Sequence, residues 1–237
     1  MITTDTKVVI VTGGSQGIGA GIAGAYRQEG WAVVACARKI KPSEEDEMLT
    51  VEVDITEPSA PELIVSKTLE RFGRIDTLVN NAGIYIGKSF TEFTQADFES
   101  MVAVNLTGFF GVTQRVIAEM LARGGGHVVN ISTTLADYAD SSAPSVLTAL
   151  TKGGIAAATR SLAVEYATRG IRVNAVSPGI IQTSVHPAEE YEALARRQPI
   201  GHVGQVSDVV NGVLFLESSP FITGEIIHID GGQIAGH

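Results

Sequence analysis

The chain has 237 residues, 44% of them hydrophobic, and its 26 glycines are spread throughout rather than gathered in tracts. That composition describes an ordered globular chain able to bury one large core. With 17 lysines and arginines against 26 aspartates and glutamates the net charge is −9, and no basic cluster exceeds Arg196-Arg197, so neither nucleic acid nor anionic lipid is an expected partner.

The N-terminal segment MITTDTKVVIVTGG carries Asp5 and one short apolar run, too short for a signal peptide. No stretch approaches the roughly 18 apolar residues a membrane helix needs, and a cytoplasmic protein is expected. The first strand is expected at Val8–Thr12, followed by a helix at Ile18–Glu29 and strands at Ala32–Ala37 and Leu49–Val53. A helix at Glu62–Phe72 leads to a strand at Thr77–Asn80 and a long helix at Thr94–Ala122. Then come a strand at Gly126–Ile131, a helix at Pro144–Arg169, a strand at Arg172–Ser177, helices at Ala188–Gln198 and Val206–Leu216, and a last strand at Glu225–Ile229. Strands of unbroken Val, Ile and Ala belong to a parallel sheet covered on both faces. Alternation with helices, without a linker or a repeat, predicts an α/β chain with one doubly wound, Rossmann-type domain over residues 1–237.

Such folds bind ligands beyond the carboxyl ends of their strands. After the first strand comes TGGSQGIG (Thr12–Gly19), where Gly13, Gly17 and Gly19 allow a sharp turn into a helix. Unpaired N–H groups of Ser15, Gln16, Gly17 and Ile18 could there meet a phosphate, helped by the helix dipole. A literal G-x-G-x-x-G at Gly19, Gly21 and Gly24 starts too late and falls inside the helix, where it suits close helix–sheet packing. Strand two runs into Arg38-Lys39 with no acid beside them, which favours a cofactor bearing a 2′-phosphate; Ser15 could add a hydroxyl contact. The single Cys36 precludes an internal disulfide. The histidines (His127, His186, His202, His228, His237) never fall at a ligand spacing, so no metal site is expected.

TGGSQGIG, NNAG (Asn80–Gly83), Asn105 within a helix, NIST (Asn130–Thr133), SPG followed by Thr183, and ITGEIIHIDGG (Ile222–Gly232) occur in this order. In this the chain resembles the short-chain dehydrogenase/reductase family from Lys7 to Gly232. The resemblance implies a domain that binds NADP or NAD and interconverts small-molecule alcohols and carbonyls by hydride transfer. It implies that Asp54, with Ile55, contacts the adenine, and that Asn81, Ala82 and Gly83 border the adenosine ribose. Pro178, Gly179, Ile181 and Thr183 would hold the nicotinamide end, and Lys152 the nicotinamide ribose. Some of these residues have structural alternatives: Asp54 as a cap on the following helix, Asn80 as a partner for backbone groups, Thr183 as a helix cap. The family's long helices pack against symmetry mates. Here they carry apolar residues on more than one face, so a homodimer or homotetramer is expected.

The family's Y-x-x-x-K is broken. Lys152 is present, but Thr148 stands where the tyrosine belongs. A phenol near pKa 10 can be brought toward neutrality by a neighbouring ammonium; an aliphatic hydroxyl cannot, although it can bind a substrate or a water. The family serine falls at Thr133 or the adjacent Ser132, and the segment Thr134–Ser145 is about two residues longer than the family's. Two main readings follow: an oxidoreductase with a rerouted proton path through Lys152, a water or Tyr138, or a protein that kept the cofactor site and lost catalysis. An isolated substitution in an otherwise ordinary site is less favoured, because Val146-Leu147 and the longer loop depart with it. Retention of Asn105, Ser132 or Thr133, and Lys152 favours chemistry. The segment Ser184–Pro199 should close the site; His186 or Tyr191 could face the ligand, but its charges single out no substrate.

Overall fold

The computed structural model describes residues 5–184 and 188–236. Seven parallel strands lie in the order β3-β2-β1-β4-β5-β6-β7: β1 Val8–Thr12, β2 Ala32–Ala37, β3 Met48–Glu52, β4 Thr77–Asn80, β5 Gly126–Ile131, β6 Ile171–Pro178 and β7 Ile226–Ile229. The chain winds outward from β1 to β3 and then restarts at β4 on the other side of β1. The carboxyl ends of β1 and β4 therefore diverge, and their loops open a crevice there. The expected doubly wound sheet is the one found, and β1, β2, β4 and β5 have the expected limits.

Because successive strand residues face opposite ways, one sequence feeds two cores. Val8, Ile10, Val34, Leu78 and Val128 pack under α2 (Ala60–Phe72), α4 (Phe109–Arg123) and α5 (Val146–Tyr166). Val9, Val11, Val33, Val79 and Val129 pack under α1 (Gly17–Gln28) and α7 (Val206–Ser218), through Ile22, Tyr26, Val209, Val213 and Leu216.

Several expectations need correction. The run Thr94–Ala122 is not one α-helix. Thr94 and Asp97 form a capping box on α3 (Gln95–Val102), and Ala103–Gly108 is a π-helical turn before α4. The wider turn carries Asn105, fully buried, and its end at Gly108 lies tight against Ile55, 2.6 Å from where a Cβ would stand. Taken together, Gln95–Arg123 is long and apolar enough by length and composition to cross a membrane, against the reading that no stretch came near this. In the fold α4 lies on α2 and on β4 and β5, and its Val112, Val116 and Met120 are core residues. The segment Ala188–Gln198 holds only a 3-10 turn at Ala188–Glu190 and a short helix, α6 (Tyr191–Ala195). Gly21 serves helix–helix rather than helix–sheet packing, since a Cβ there would meet Val206 of α7 at 2.4 Å. His186 and His237 lie outside the described residues.

At the amino ends of the strands, Glu217 of α7 gathers a buried polar cluster. One carboxylate oxygen accepts from Tyr26 Oη at 2.8 Å, Thr77 Oγ1 at 3.0 Å and His127 Nδ1 at 3.0 Å. Asn174 Nδ2 lies 3.1 Å from the other ring nitrogen. Burial pushes His127 below its ordinary pKa more than Glu217 raises it, so the ring is neutral and the contact is a hydrogen bond. Burial opposes ionisation of Glu217, but the bonds from His127, Tyr26 and Thr77 outweigh it and hold the carboxyl below its usual value. Both folded-state values are depressed, so the stability they contribute is present above the unfolded-state values and lost as pH falls through the folded ones. Glu217→Ala leaves three donors without an acceptor and should destabilise the fold by roughly 3 kcal/mol. Glu217→Gln should cost about half as much. Urea unfolding at neutral pH measures both; a loss under about 1 kcal/mol for the alanine variant would contradict this account.

Candidate active site

The crevice is built first by satisfying the backbone where β1 and β4 part. Thr12 Oγ1 accepts from the N–H groups of Asn81 and Ala82, both at 3.1 Å. Asn81 Nδ2 donates back to the carbonyls of Thr12 and Gly13 at 2.9 and 3.1 Å. The role considered for Asn80 thus belongs to Asn81. Asn80 points into the core instead, donating to Thr113 Oγ1 and Asn130 Oδ1 at 2.8 and 2.9 Å.

Between these anchors the chain turns with Gly13 at φ +66° and Gly17 at φ +54°, a region that costs other residues strain. Gly19 passes so close to Gly13 that a Cβ would lie 2.2 Å from its carbonyl oxygen. The amino end of α1 receives no side-chain cap and no acidic residue in its first turn, so its leading N–H groups remain available to an anion. Ser15 and Gln16 are exposed beside it, and Ile18 is half-buried. Arg38 and Lys39 are exposed at the end of β2. Asp54 does not cap α2, which begins after Ser59. Its carboxylate accepts from Thr56 N and Oγ1; the backbone bond first, with help from the Arg38 charge, holds it below its usual pKa against partial burial.

Farther along the sheet, α5 places Lys152 over the end of β5. Its Nζ donates to Ile131 O at 2.7 Å, and burial pushes the ammonium down to about 8. A Cβ on Gly83 would stand 3.0 Å from that nitrogen and 3.2 Å from Asn105 Oδ1, so Gly83, Asn105 and Lys152 converge. Asn105 clamps the peptide of Ile84 through both backbone groups, at 2.9 and 3.0 Å, and donates to Thr151 Oγ1 at 3.1 Å.

Three buried hydroxyls nearby in the fold have no partner: Ser132 after β5, Thr148 one turn before Lys152, and Ser177 near the end of β6. Thr133 is half-buried and accepts a long bond from Leu135 N at 3.4 Å. Ser177 was missed in the sequence although it opens the SPG motif; the signal was a hydroxyl directly after the apolar pair Ala175-Val176 at the end of the strand. Beyond it, Pro178 is buried, Gly179 N bonds Ile229 O, and Ile181 bridges to Gly204. The Thr183 methyl would lie 3.6 Å from a Cβ on Gly17, which brings the two loops together. Tyr191, a candidate for facing the ligand, instead donates to Thr183 O at 2.9 Å. Tyr138 is half-buried and engaged in the fold.

The family pattern described as enoyl-(acyl carrier protein) reductase matches residues 13–233. A 3-oxoacyl-[acyl-carrier-protein] reductase of Thermotoga maritima is 35% identical over 96% of this chain and 98% of its own length. An L-fucose dehydrogenase of Bos taurus is 35% identical over 98% of this chain and 90% of its own. Among solved structures, ElxO with NADP bound superposes with a TM-score of 0.91 at 31% identity, covering 98% of this chain and all of that one. The aldohexose dehydrogenase of Thermoplasma acidophilum gives 0.90 at 28%, covering 99% and 96%. The chain belongs to the short-chain dehydrogenase/reductase family, and is an oxidoreductase of that family.

The hydroxyls of Thr148 and Thr151 make opposite predictions. Thr148→Val removes a buried oxygen that bonds nothing, and should leave stability unchanged or raise it by about 1 kcal/mol. Thr151→Val breaks the bonds to Asn105 and Leu147 O and should cost about 1–2 kcal/mol. Thermal unfolding of the two variants side by side reads the difference. Equal losses would show that Thr148 holds the fold rather than the site.

Proposed function

We propose that this chain is an NADP(H)-dependent oxidoreductase interconverting an alcohol and a carbonyl, with Lys152 and Thr148 replacing the family's Tyr–Lys pair. The observation that carries it is Lys152: a buried ammonium at about 8, held by one carbonyl and facing Gly83 beside Asn105. A dinucleotide fits the residues present, since the uncapped α1 terminus suits its phosphates and Gly83 leaves Lys152 open to its ribose. Bound there, the cofactor supplies or accepts the hydride. Lys152 gives or takes the proton, because an ammonium near 8 is a competent acid and base at neutral pH. Thr148, one turn earlier on the same face, orients the substrate oxygen or a relaying water with its free hydroxyl, while Ser132 or Thr133 supplies a further hydrogen bond. Asn105 keeps the Ile84 peptide, and with it Gly83, in place.

Arg38 and Lys39, exposed and without an acidic partner from β2, support NADP(H) over NAD(H), with Ser15 on the same rim. Binding titrations of both cofactors should show that preference, and Arg38→Ala should reduce it about tenfold; equal affinities would count against it. Exposed Phe110 on α4 and Val146, Leu150 and Val164 on α5 support a homodimer or homotetramer, which a monomer by light scattering would contradict.

The proton path is read from pH and substitution. Carbonyl reduction needs protonated Lys152, so its rate should fall as pH rises through about 8, while alcohol oxidation should rise. Lys152→Ala should weaken NADPH binding by about 1.5–3 kcal/mol and lower turnover at saturating cofactor. Thr148→Tyr places a phenol beside the ammonium and should raise reduction. Tight NADPH binding with no turnover of any carbonyl, and no gain in the tyrosine variant, would favour the alternative of a cofactor-binding protein.

A further inference from the structure

A cleft of about 440 Å³ lies beside the loop that follows Gly83 and the segment that enters α5. One wall is the loop leading on from Gly83, with Tyr85, Lys88 and Ser89; another is the segment entering α5, with Ser142, Ala143 and Pro144. The third is the lid, with Glu190, Leu194 and Arg197. Donor groups dominate this lining: the Tyr85 and serine hydroxyls, the Lys88 ammonium and the Arg197 guanidinium. Glu190 is the one carboxylate among the residues that line it, and it is exposed.

The two cations differ in what they have left to give. Lys88 is paired at 2.6 Å with Asp97, the carboxylate that also caps α3. Arg197 donates from Nη2 to Asp140 Oδ2 at 2.7 Å. The other oxygen of Asp140 accepts from Ser142 N and Oγ at 2.8 and 2.7 Å, so the carboxylate is held at both ends. Its carboxyl is held at about 2, first by the Ser142 hydroxyl and further by Arg197, against some burial, so it stays an anion and a fixed partner. The Arg197 side chain is 29% exposed, yet its Nε is shut from solvent and bonds nothing. A guanidinium held at one end by a fixed carboxylate and partly exposed in the lining of the cleft is matched by a planar acceptor with two oxygens.

We propose that Arg197 is a specificity-determining residue that binds a carboxylate carried by the substrate in addition to its carbonyl, with Asp140 and Ser142 fixing the guanidinium from behind. The segment after β5 has a purpose in this arrangement: through Asp140 it holds Arg197 in the lining of the cleft. The inference rests on reading the cleft as the substrate side of the proposed oxidoreductase.

The probes are acetoacetate and levulinate with their methyl esters, titrated into the NADPH-loaded protein by calorimetry, alongside turnover of the same compounds. Each acid should bind about tenfold tighter than its ester, and Arg197→Gln should abolish that difference while leaving NADPH affinity unchanged. Arg197→Lys keeps the charge but lacks the fork, and should retain only part of the preference; it serves as the readout if the glutamine variant folds poorly. Equal binding of acid and ester, a preference that survives Arg197→Gln, or no saturable binding of either acid overturns the inference. Turnover of neutral ketones with no acid preference would overturn it while sparing the oxidoreductase reading. Arg197-dependent acid binding without turnover would sustain the subsite and count against the proposed proton path.

Discussion

Parallel strands that part company leave peptide groups without ladder partners, and the site depends on how this chain satisfies them. At the switch point between β1 and β4, the side chains of Thr12 and Asn81 make four hydrogen bonds across the gap, to the backbone of Asn81 and Ala82 on one side and of Thr12 and Gly13 on the other. That clamp fixes the glycine turn on one side and Gly83 on the other. Farther along the same loop, Asn105 does this for Ile84 from a helix, and one strand on, Lys152 does it for the carbonyl of Ile131. An unpaired buried peptide group is costly, so these polar residues hold the loops rigidly while still facing the crevice. Satisfying the backbone and building the site are the same act.

The π turn at Ala103–Gly108 belongs to this logic. A regular α-helix over Gln95–Arg123 would carry Asn105 at a different angle from the one that reaches Ile84. The wider turn inserts the offset, as π-bulges do at functional positions. Its position against Ile55 links it to the loop after β3, on the opposite side of the crevice. Lys152 is then enclosed by groups that leave its charge little solvation, which is why its ammonium is pushed down. In the proposed mechanism, Thr148 at the family's tyrosine position stands one turn from a lysine whose burial brings its ammonium down to about 8.

Residues 188–198, the lid of the proposed site, are tied to the rest of the fold at two points by different devices. Tyr191 bonds the Thr183 carbonyl, and Arg197 pairs with Asp140. Gln198, buried just after Arg197, reaches Gln233, which also receives Thr134 Oγ1. The C-terminal segment, the loop after β5 and the lid therefore meet in one polar cluster. In a chain with only a short helix for a lid, such bonds rather than an apolar face set its position.

Much of this protein is determined by sequence alone. Unbroken runs such as VVIVT and AVVACA, short and bounded by turn residues, suit strands buried on both faces, so the parallel sheet is legible in local pattern. The glycine turn, NNAG and Lys152 were legible as motifs in a family-like order, although the partners of Asn81 and Lys152 lie 69 and 21 residues away. What tertiary structure decided depends on residues far apart in the chain. The π turn is invisible to a 3.6-residue periodicity, and the backbone that its Asn105 holds, Ile84, lies 21 residues earlier in the chain. Asn80 and Asn81 are indistinguishable as letters; the pleat sends one side chain into the core and the other to β1. Arg197 looked like one more charge on an exposed helix, and only the fold sets Asp140, 57 residues earlier, against it. Sequence spacing determines which groups share a face, but the partner each group meets is chosen by packing.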